Sequence, residues 1–580
     1  MKLGHLRNNT PTSDATRSYT FTSSDGTHWV AWRRYDGTFY TTQEPEETVD
    51  PLSEAVKTGA VDTLLGLMTA RGGLREQPSI LGCLPVHLAA IHGQEECLGI
   101  LLTVLPEAIN HRDEQEKTPL FLAVENDSVA CVEYLLEKGA DPNIGNTDRE
   151  TPLHKACEHD NVDVVCSLLQ YGAELDRACR RGWTPLHEAV CHNSVEICET
   201  LLRAGASLHR RNTYGITPFF LAAQAGCPEA LALLINRGAD VNFQMSDGAT
   251  ALFEASKNGY EEVVKLLLTH RADANRPTKT NLLPIHTATQ HGHIEIVKLL
   301  LPVTSAERVR RSGISPLHLA AQYNEDDILE ALIQAGYDVN ALLSHDQSRM
   351  YQDRRTTALY FAVNNSNEDA AELLLEAGAD PNLDKFNPLL VAVRQGNVQM
   401  ARLLLEHGAD VNAGMPNCQL AFPAAVLLCL RYPAMLKLLL DHGCHAPACF
   451  QCRYGADPHP HPPPPATTRA GKDDLGLDRE EPCVQFCEAV SAPSVGSWAG
   501  PIVSLLLDYV GHVPLCSRLT QLLHGHPDWA SLTHRTKSPP SLKQLCRLGI
   551  RQETGLQRLG VLGSLPLPSR LIRYLQYNDE

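Results

Sequence analysis

Apolar residues recur along this chain at three- and four-residue steps, in short runs separated by polar turns. Val162, Val165, Leu168 and Leu169 fall on one stripe of a helix, and so do Val263, Val264 and Leu267. A shorter run precedes each of these and opens with a Thr, as Thr151-Pro152 and Thr250-Ala251 do, and many of the units open with a Thr or Ser followed by Pro. The hydroxyl accepts a hydrogen bond from an otherwise orphan backbone N–H, and Pro is tolerated in the first helical turn. Gly139, Gly238, Gly378 and Gly408 stand where the second helix of a pair must end in a left-handed residue. An Ala-Asp pair follows each glycine and leads into a hairpin finger. The pattern predicts helix pair after helix pair.

The pairs are copies of one unit. Thr151-Pro152-Leu153-His154 recurs as Thr184-Pro185-Leu186-His187, Thr217-Pro218-Phe219-Phe220 and Ser315-Pro316-Leu317-His318. Looser copies begin at Pro51, Pro85, Pro119, Ala251, Pro284, Ala358, Pro388 and Ala421, at a step of about 33 residues. This motif at this period resembles the ankyrin repeat. One such unit cannot bury its apolar face alone, so stacked neighbours supply the core. The expected fold class is an all-α repeat solenoid of about twelve ankyrin repeats over 49–443. One step, from Pro316 to Ala358, is longer and puts residues 344–355, with Tyr351, Arg354 and Arg355, into a single finger. That insertion reads as a tolerated loop or as a binding element, since long loops cost little to close.

Composition excludes several function classes. A hydrophobic share of 43% with 20% charged residues is that of a folded chain. A formal charge of −18 argues against nucleic-acid phosphates or an anionic membrane as the main partner. No apolar run reaches the ~18 residues of a membrane span, and the first twenty or so residues lack the apolar core of a secretory signal. The 18 cysteines are therefore expected to be reduced thiols of the cytosol or nucleus, many of them small core residues.

Regularity stops after Gly443. Residues 444–482 contain a His/Pro run and a charged, Gly-containing stretch, and read as a flexible linker. Helical pattern returns over 483–537, where Trp498 and the run 503–507 are expected to cap the last repeat. Pro539-Pro540 then stops the chain, and Ser541 can cap a new helix. On that helix Leu542, Cys546 and Ile550 share one stripe. Leu565-Pro566-Leu567-Pro568 follows, with Leu571, Tyr574 and Leu575. Ser-Leu-x-x-x-Cys-x-x-x-Ile with Leu-Pro-Leu-Pro-x-x-Leu-x-x-Tyr-Leu resembles the SOCS box, expected over 538–580.

Repeats, cap and SOCS box in this order resemble the ankyrin-repeat and SOCS-box family. The resemblance implies a non-catalytic substrate-recognition subunit of a RING E3 ubiquitin ligase. Its expected partners are elongin B, elongin C, cullin-5 and a RING-box protein. It implies that Leu542, Cys546 and Ile550 enter a groove of elongin C. It also implies that Leu565, Pro566, Leu567, Pro568, Leu571, Tyr574 and Leu575 select the cullin. The blocks 310–316, 498–502 and 568–575 point to a branch whose implied substrates include filamins, in the cytoplasm and at the cytoskeleton. The rival is a plain ankyrin scaffold or inhibitor without a ligase role.

Substrate residues are less legible. Arg180-Arg181 and Arg210-Arg211, beside Trp183 and Tyr214, have the side-chain types of binding hot spots and would steer an acidic partner. Basic doublets in solvated turns are the bland alternative. Within the N-terminal extension, 1–48, Asp25-Gly26 and Asp36-Gly37 are hairpin-turn signals flanked by aromatics. A small three-strand unit there would cap the first repeat or add an edge to a partner. Cys449-x-x-Cys452, with Cys444, His445, His459 and His461, has zinc-ligand types but lacks a second half-motif, so no metal and no cofactor are expected. His87, His154, His187, His286 and His318 repeat with the units and read as scaffold, not as catalytic bases. No phosphate-cradling loop or nucleophile elbow is present.

Overall fold

The structure is a computed structural model describing residues 18–22, 28–33, 39–43, 51–70, 83–353, 355–416, 418–459, 484–554 and 568–575. Residues 1–213 and 214–580 form two compact units.

The first unit opens with three antiparallel strands, β1 (Ser18–Thr22), β2 (His28–Arg33) and β3 (Phe39–Gln43), in the order β1-β2-β3. Tyr19 lies opposite Ala31, and Trp32 opposite Tyr40. The hairpin signals Asp25-Gly26 and Asp36-Gly37 lie outside the described residues. Helix pairs follow from Pro51–Lys57 to Val195–Ala204, and continue in the second unit from Pro218–Ala225 to Pro433–Asp441. The expected all-α repeat architecture is what forms. Among the described residues no helix is long and apolar enough to cross a membrane.

The Thr-Pro starts fold as their chemistry dictates. Thr118 Oγ1 accepts from Phe121 N at 3.2 Å and Thr217 Oγ1 from Phe220 N at 3.3 Å. Leu120, Leu153, Leu186 and Leu317 on these helices are buried, as are Leu135, Leu168, Leu201 and Leu332 on their partners. Burying one leucine contributes about 1.5–3 kcal/mol.

The motif histidines are the rivets between neighbouring units. His154 Nδ1 accepts from Thr151 N at 3.1 Å, and Nε2 reaches the carbonyl oxygen of Trp183 in the next unit at 3.1 Å. His286 does the same with Leu283 N at 3.0 Å and Ile314 O at 2.9 Å. A backbone N–H can only donate, so Nδ1 must be bare and the proton must sit on Nε2. The ring is thus held neutral. Burial lowers the pKa of His87, His154 and His318, and takes His286 from 6.5 to about 4.

A second set of cross-links runs through the fingers. Asn242 Oδ1 accepts from Asp273 N at 2.8 Å, and Asn382 Oδ1 accepts from Asp410 N at 2.8 Å while Nδ2 donates to Gly408 O at 3.0 Å. Backbones also meet at Gly182, whose φ is +75° and where a Cβ would fall 2.6 Å from Thr213 N. Only glycine fits there.

The long finger folds back onto the array. Tyr351 donates to Gln322 Oε1 at 3.0 Å, and Arg355 pairs with Asp353 at 2.8 Å. The Arg355 guanidinium lies 4.9, 5.5 and 5.1 Å from the rings of Tyr351, Tyr360 and Phe361. These side chains are engaged inside the chain, which favours the loop reading of the insertion. Arg354 lies outside the described residues.

The histidine rivets give the array a pH dependence. Unfolding frees His286 to bind a proton near pH 6.5, which the folded chain refuses until about pH 4. Between those values the unfolded chain holds more protons, so stability falls as pH falls, by up to about 1.4 kcal/mol per pH unit for each such histidine. The thermal midpoint of the full chain is expected to drop between about pH 7 and 5. A His286→Asn variant should melt lower but with a shallower pH slope. A flat profile for the unaltered chain contradicts this role.

Candidate functional site

The tail helix, Leu542–Thr554, starts as expected. Ser541 Oγ accepts from Gln544 N at 3.2 Å. Leu542 is 77% exposed, Leu545 46% and Ile550 40%, and Cys546 is exposed beside them. The stripe predicted for Leu542, Cys546 and Ile550 therefore faces outward. Leu545, which is not on the stripe expected from the sequence, joins it one turn on from Leu542. The i, i+3 spacing of Leu542 and Leu545 was the available signal.

The opposite side of this helix is anchored. Gln544 Nε2 donates to Leu507 O at 3.1 Å and to Val510 O at 3.2 Å, at the end of the cap helix Ala499–Asp508. Arg551 is buried. Its guanidinium donates to Leu440 O at 3.1 Å, Asp441 O at 3.0 Å and Leu575 O at 2.8 Å, and lies 5.5 Å from the Tyr509 ring. These carbonyls close two helices, Pro433–Asp441 and Ser569–Leu575, where four carbonyls lack intrahelical partners and the dipole favours a cation. One fork-shaped cation thus ties the last repeat to both parts of the tail. Tyr509 donates to Asp441 Oδ1 at 2.5 Å beside it.

The second tail element begins at exposed Pro568, and Leu571 is half-buried. Leu565, Pro566 and Leu567 lie outside the described residues. Tyr574 and Leu575 are buried, not free for a partner as expected. The Tyr574 hydroxyl donates to Lys543 O, and its ring lies 3.9 Å from the Arg547 guanidinium and 4.7 Å from Lys543 Nζ. Both residues hold the second helix against the first.

The cap is built from Phe486–Val490, Ala499–Asp508, Ser517–His524 and Ala530–Lys537. Val503, Leu506 and Leu507 are buried as expected, whereas Trp498 is 41% exposed. Trp529 rests directly on Gly500, where any Cβ would collide with its ring.

On the fingers of the first unit, Arg180, Arg181, Arg210 and Arg211 are exposed. Trp183 is half-buried, with its ring 6.2 Å from that of His187. Arg210 faces Asp176 at 3.6 Å. Tyr214, where the second unit begins, is 72% exposed. Behind these fingers Glu150, in the turn before the helix Pro152–Glu158, joins helical Glu158 and Glu188 around Lys155, which pairs with Glu158 at 2.6 Å. Burial, then the charges of Glu158 and Glu150, raises Glu188 to about 7.

The cysteines sort into two groups. Cys444 and Cys449 are core thiols near Cys429, and burial raises Cys444 to about 12. Cys452 and His459 instead meet Cys487 and Cys516, and all four ligand atoms lie within 4.8 Å of one another. His445 is exposed, and His461 lies outside the described residues.

Comparison with known proteins matches the same two parts. The ankyrin-repeat family profile, written as three copies, fits residues 52–146, 139–212, 204–278, 272–342 and 339–415. The SOCS-box profile fits residues 538–576. Ankyrin repeat and SOCS box protein 2 of Bos taurus is 60% identical over 531 residues, which cover 92% of this chain and 83% of that protein. The protein of the same name from Rattus norvegicus is 56% identical over 577 residues, 99% of this chain and 90% of the relative. That from Homo sapiens is 60% identical over 530 residues, 91% and 83%. The chain belongs to the ankyrin repeat and SOCS box protein family. In this family architecture the chain is a substrate-recognition adaptor of a cullin-RING ligase, and the arrangement suits a non-catalytic role.

Arg551 is the residue on which the seat of the tail depends. Arg551→Ala removes three charge-assisted hydrogen bonds from the carbonyls that end two helices and should raise the opening constant of residues 538–576 about 100-fold, or about 3 kcal/mol. Hydrogen exchange of that segment measures it. Arg551→Lys, a point charge without the fork, should recover less than half. Unchanged protection in the alanine variant contradicts the anchoring role.

Proposed function

We propose that this chain is the substrate receptor of a cullin-5 RING ubiquitin ligase, held by elongin B and elongin C and completed by a RING-box protein. Its repeats bind target proteins, filamins among them, and present them for ubiquitination and proteasomal degradation in the cytoplasm and at the cytoskeleton. The chain performs no chemistry itself. It brings a bound target close to a charged conjugating enzyme, and proximity with orientation is worth several kcal/mol of barrier.

The observation that carries this reading is the outward aliphatic stripe of the tail helix. Leu542, Leu545 and Ile550 remain exposed on a helix whose other side is bonded down by Gln544 and Arg551. An exposed apolar stripe on a fixed helix is the form of a helix-in-groove anchor. Full burial in a groove contributes about 1.5–3 kcal/mol for each of the three side chains. Cys546 between them suits a tight part of such a groove, where elongin C is the proposed occupant. Leu565, Pro566, Leu567, Pro568 and Leu571 are the proposed cullin contacts, and buried Tyr574 and Leu575 hold the helix Ser569–Leu575 that carries Leu571. Arg180, Arg181, Trp183, Arg210, Arg211 and Tyr214 are the proposed substrate contacts, for an acidic segment of the target.

Purified chain is expected to co-elute with the elongin B–C pair, and Leu542→Asp to abolish this while the helical circular dichroism and melting of the repeats are kept. Co-elution that survives the substitution leaves the plain scaffold as the better reading. Arg180→Glu with Arg210→Glu should reduce filamin pull-down at least tenfold without changing elongin binding. An undiminished pull-down removes these fingers from the substrate site.

A further inference from the structure

We propose that Cys452, His459, Cys487 and Cys516 form a structural zinc site that locks the cap onto the end of the repeat array. Their ligand atoms converge from three separate stretches of chain. Cys452 and His459 flank the turn that follows the short helix Ala446–Phe450, Cys487 is the second residue of Phe486–Val490, and Cys516 immediately precedes Ser517–His524.

All four ligand atoms lie within 4.8 Å of one another. Cys452 Sγ lies 3.8 Å from Cys487 Sγ and 3.4 Å from His459 Nε2, while Cys487 Sγ faces the other ring nitrogen, Nδ1, at 3.9 Å, so one of the two nitrogens binds and a small turn of the ring aims it. A tetrahedral Zn²⁺ with bonds of ~2.3 Å to sulfur and ~2.0 Å to nitrogen separates two sulfurs by ~3.8 Å and a sulfur from a nitrogen by ~3.5 Å. A disulfide would need its sulfurs at ~2.05 Å. Cysteines that merely fill a core, such as Cys97, Cys131 and Cys198, are buried and belong to no such ligand cluster among the described residues. Three sulfurs and one imidazole suit zinc, and four protein ligands leave no position open for a reacting group, so the site is structural. On binding, three thiols release their protons to solvent, and three thiolates with a neutral imidazole and Zn²⁺ leave a net charge of −1.

The surrounding chain already holds the ligands in place. The Tyr454 ring packs on that of His459 at 4.8 Å, Ser517 N donates to Gly455 O at 3.1 Å, and Ser517 Oγ donates to Asp457 O at 2.7 Å. Arg453 N donates to Gln485 Oε1 at 3.4 Å, and Val484 bridges Leu420 of the array. Such outer contacts fix ligand orientation. This departs from the expectation of no metal. The half-motif Cys449-x-x-Cys452 was misleading, because Cys449 is core and the other two sulfurs come from far along the chain.

The test uses the full chain without a histidine tag, purified without chelator. Elemental analysis should find about one zinc per chain, as four filled positions require. Cobalt reconstitution should give the intense visible absorption of a tetrahedral thiolate complex. Cys452 and Cys516 should resist iodoacetamide until a chelator is added, and chelation should lower the melting midpoint. Cys487→Ser should lose the metal, whereas Cys166→Ser, at an exposed thiol elsewhere, should keep it. The wild-type readouts stand even if Cys487→Ser fails to fold. A folded wild-type chain free of zinc, an octahedral cobalt spectrum, alkylation indifferent to chelator, or a disulfide among these cysteines overturns the proposal.

Discussion

A single guanidinium fixes the output end of this protein. Arg551 donates to carbonyls that end the last repeat helix and to the carbonyl that ends the helix Ser569–Leu575, so three elements share one buried cation. Burying that charge without partners would be prohibitive, and without it each of the three carbonyls would lose a charge-assisted hydrogen bond. The consequence is directional. With one side of the helix Leu542–Thr554 committed inward, its aliphatic stripe has nowhere to go but out.

The repeats solve the same problem many times over with weaker bonds. His87, His154, His286 and His318 each accept from their own unit's backbone and donate to a carbonyl of the next, whereas finger asparagines such as Asn242 and Asn382 both accept from and donate to the backbone of the following unit. Because every link joins neighbours only, stability is close to a sum of local terms. The fingers are then left free to vary in charge, as Arg180-Arg181 and Arg210-Arg211 do.

What the sequence disclosed follows from how local each device is. The Thr-Pro-Leu-His starts, the terminal glycines and the Leu542-Cys546-Ile550 stripe are short-range patterns with a fixed period, so helix pairs and tail helix were legible. Arg551 was not, because its partners Leu440 and Asp441 are backbone atoms more than a hundred residues away. Cys487 and Cys516 were not, because a metal-type cluster assembled from three segments has no spacing rule. Tyr574 reads as a partner contact through the SOCS-box resemblance, and a linear motif carries no trace of the cations Lys543 and Arg547 that the fold places around its ring. Substrate residues stayed hardest to read, since a basic finger has the same composition whether it binds or is merely solvated.

A helix fixed on one side presents its exposed aliphatic side to an outside subunit while the repeats remain available for a target. Hydrogen–deuterium exchange of the full chain with and without the elongin B–C pair tests it most directly. The expected result is new protection confined to the helix Leu542–Thr554 and its immediate neighbours, with the repeat fingers unchanged. Protection spread over the repeats with none on that helix would contradict it.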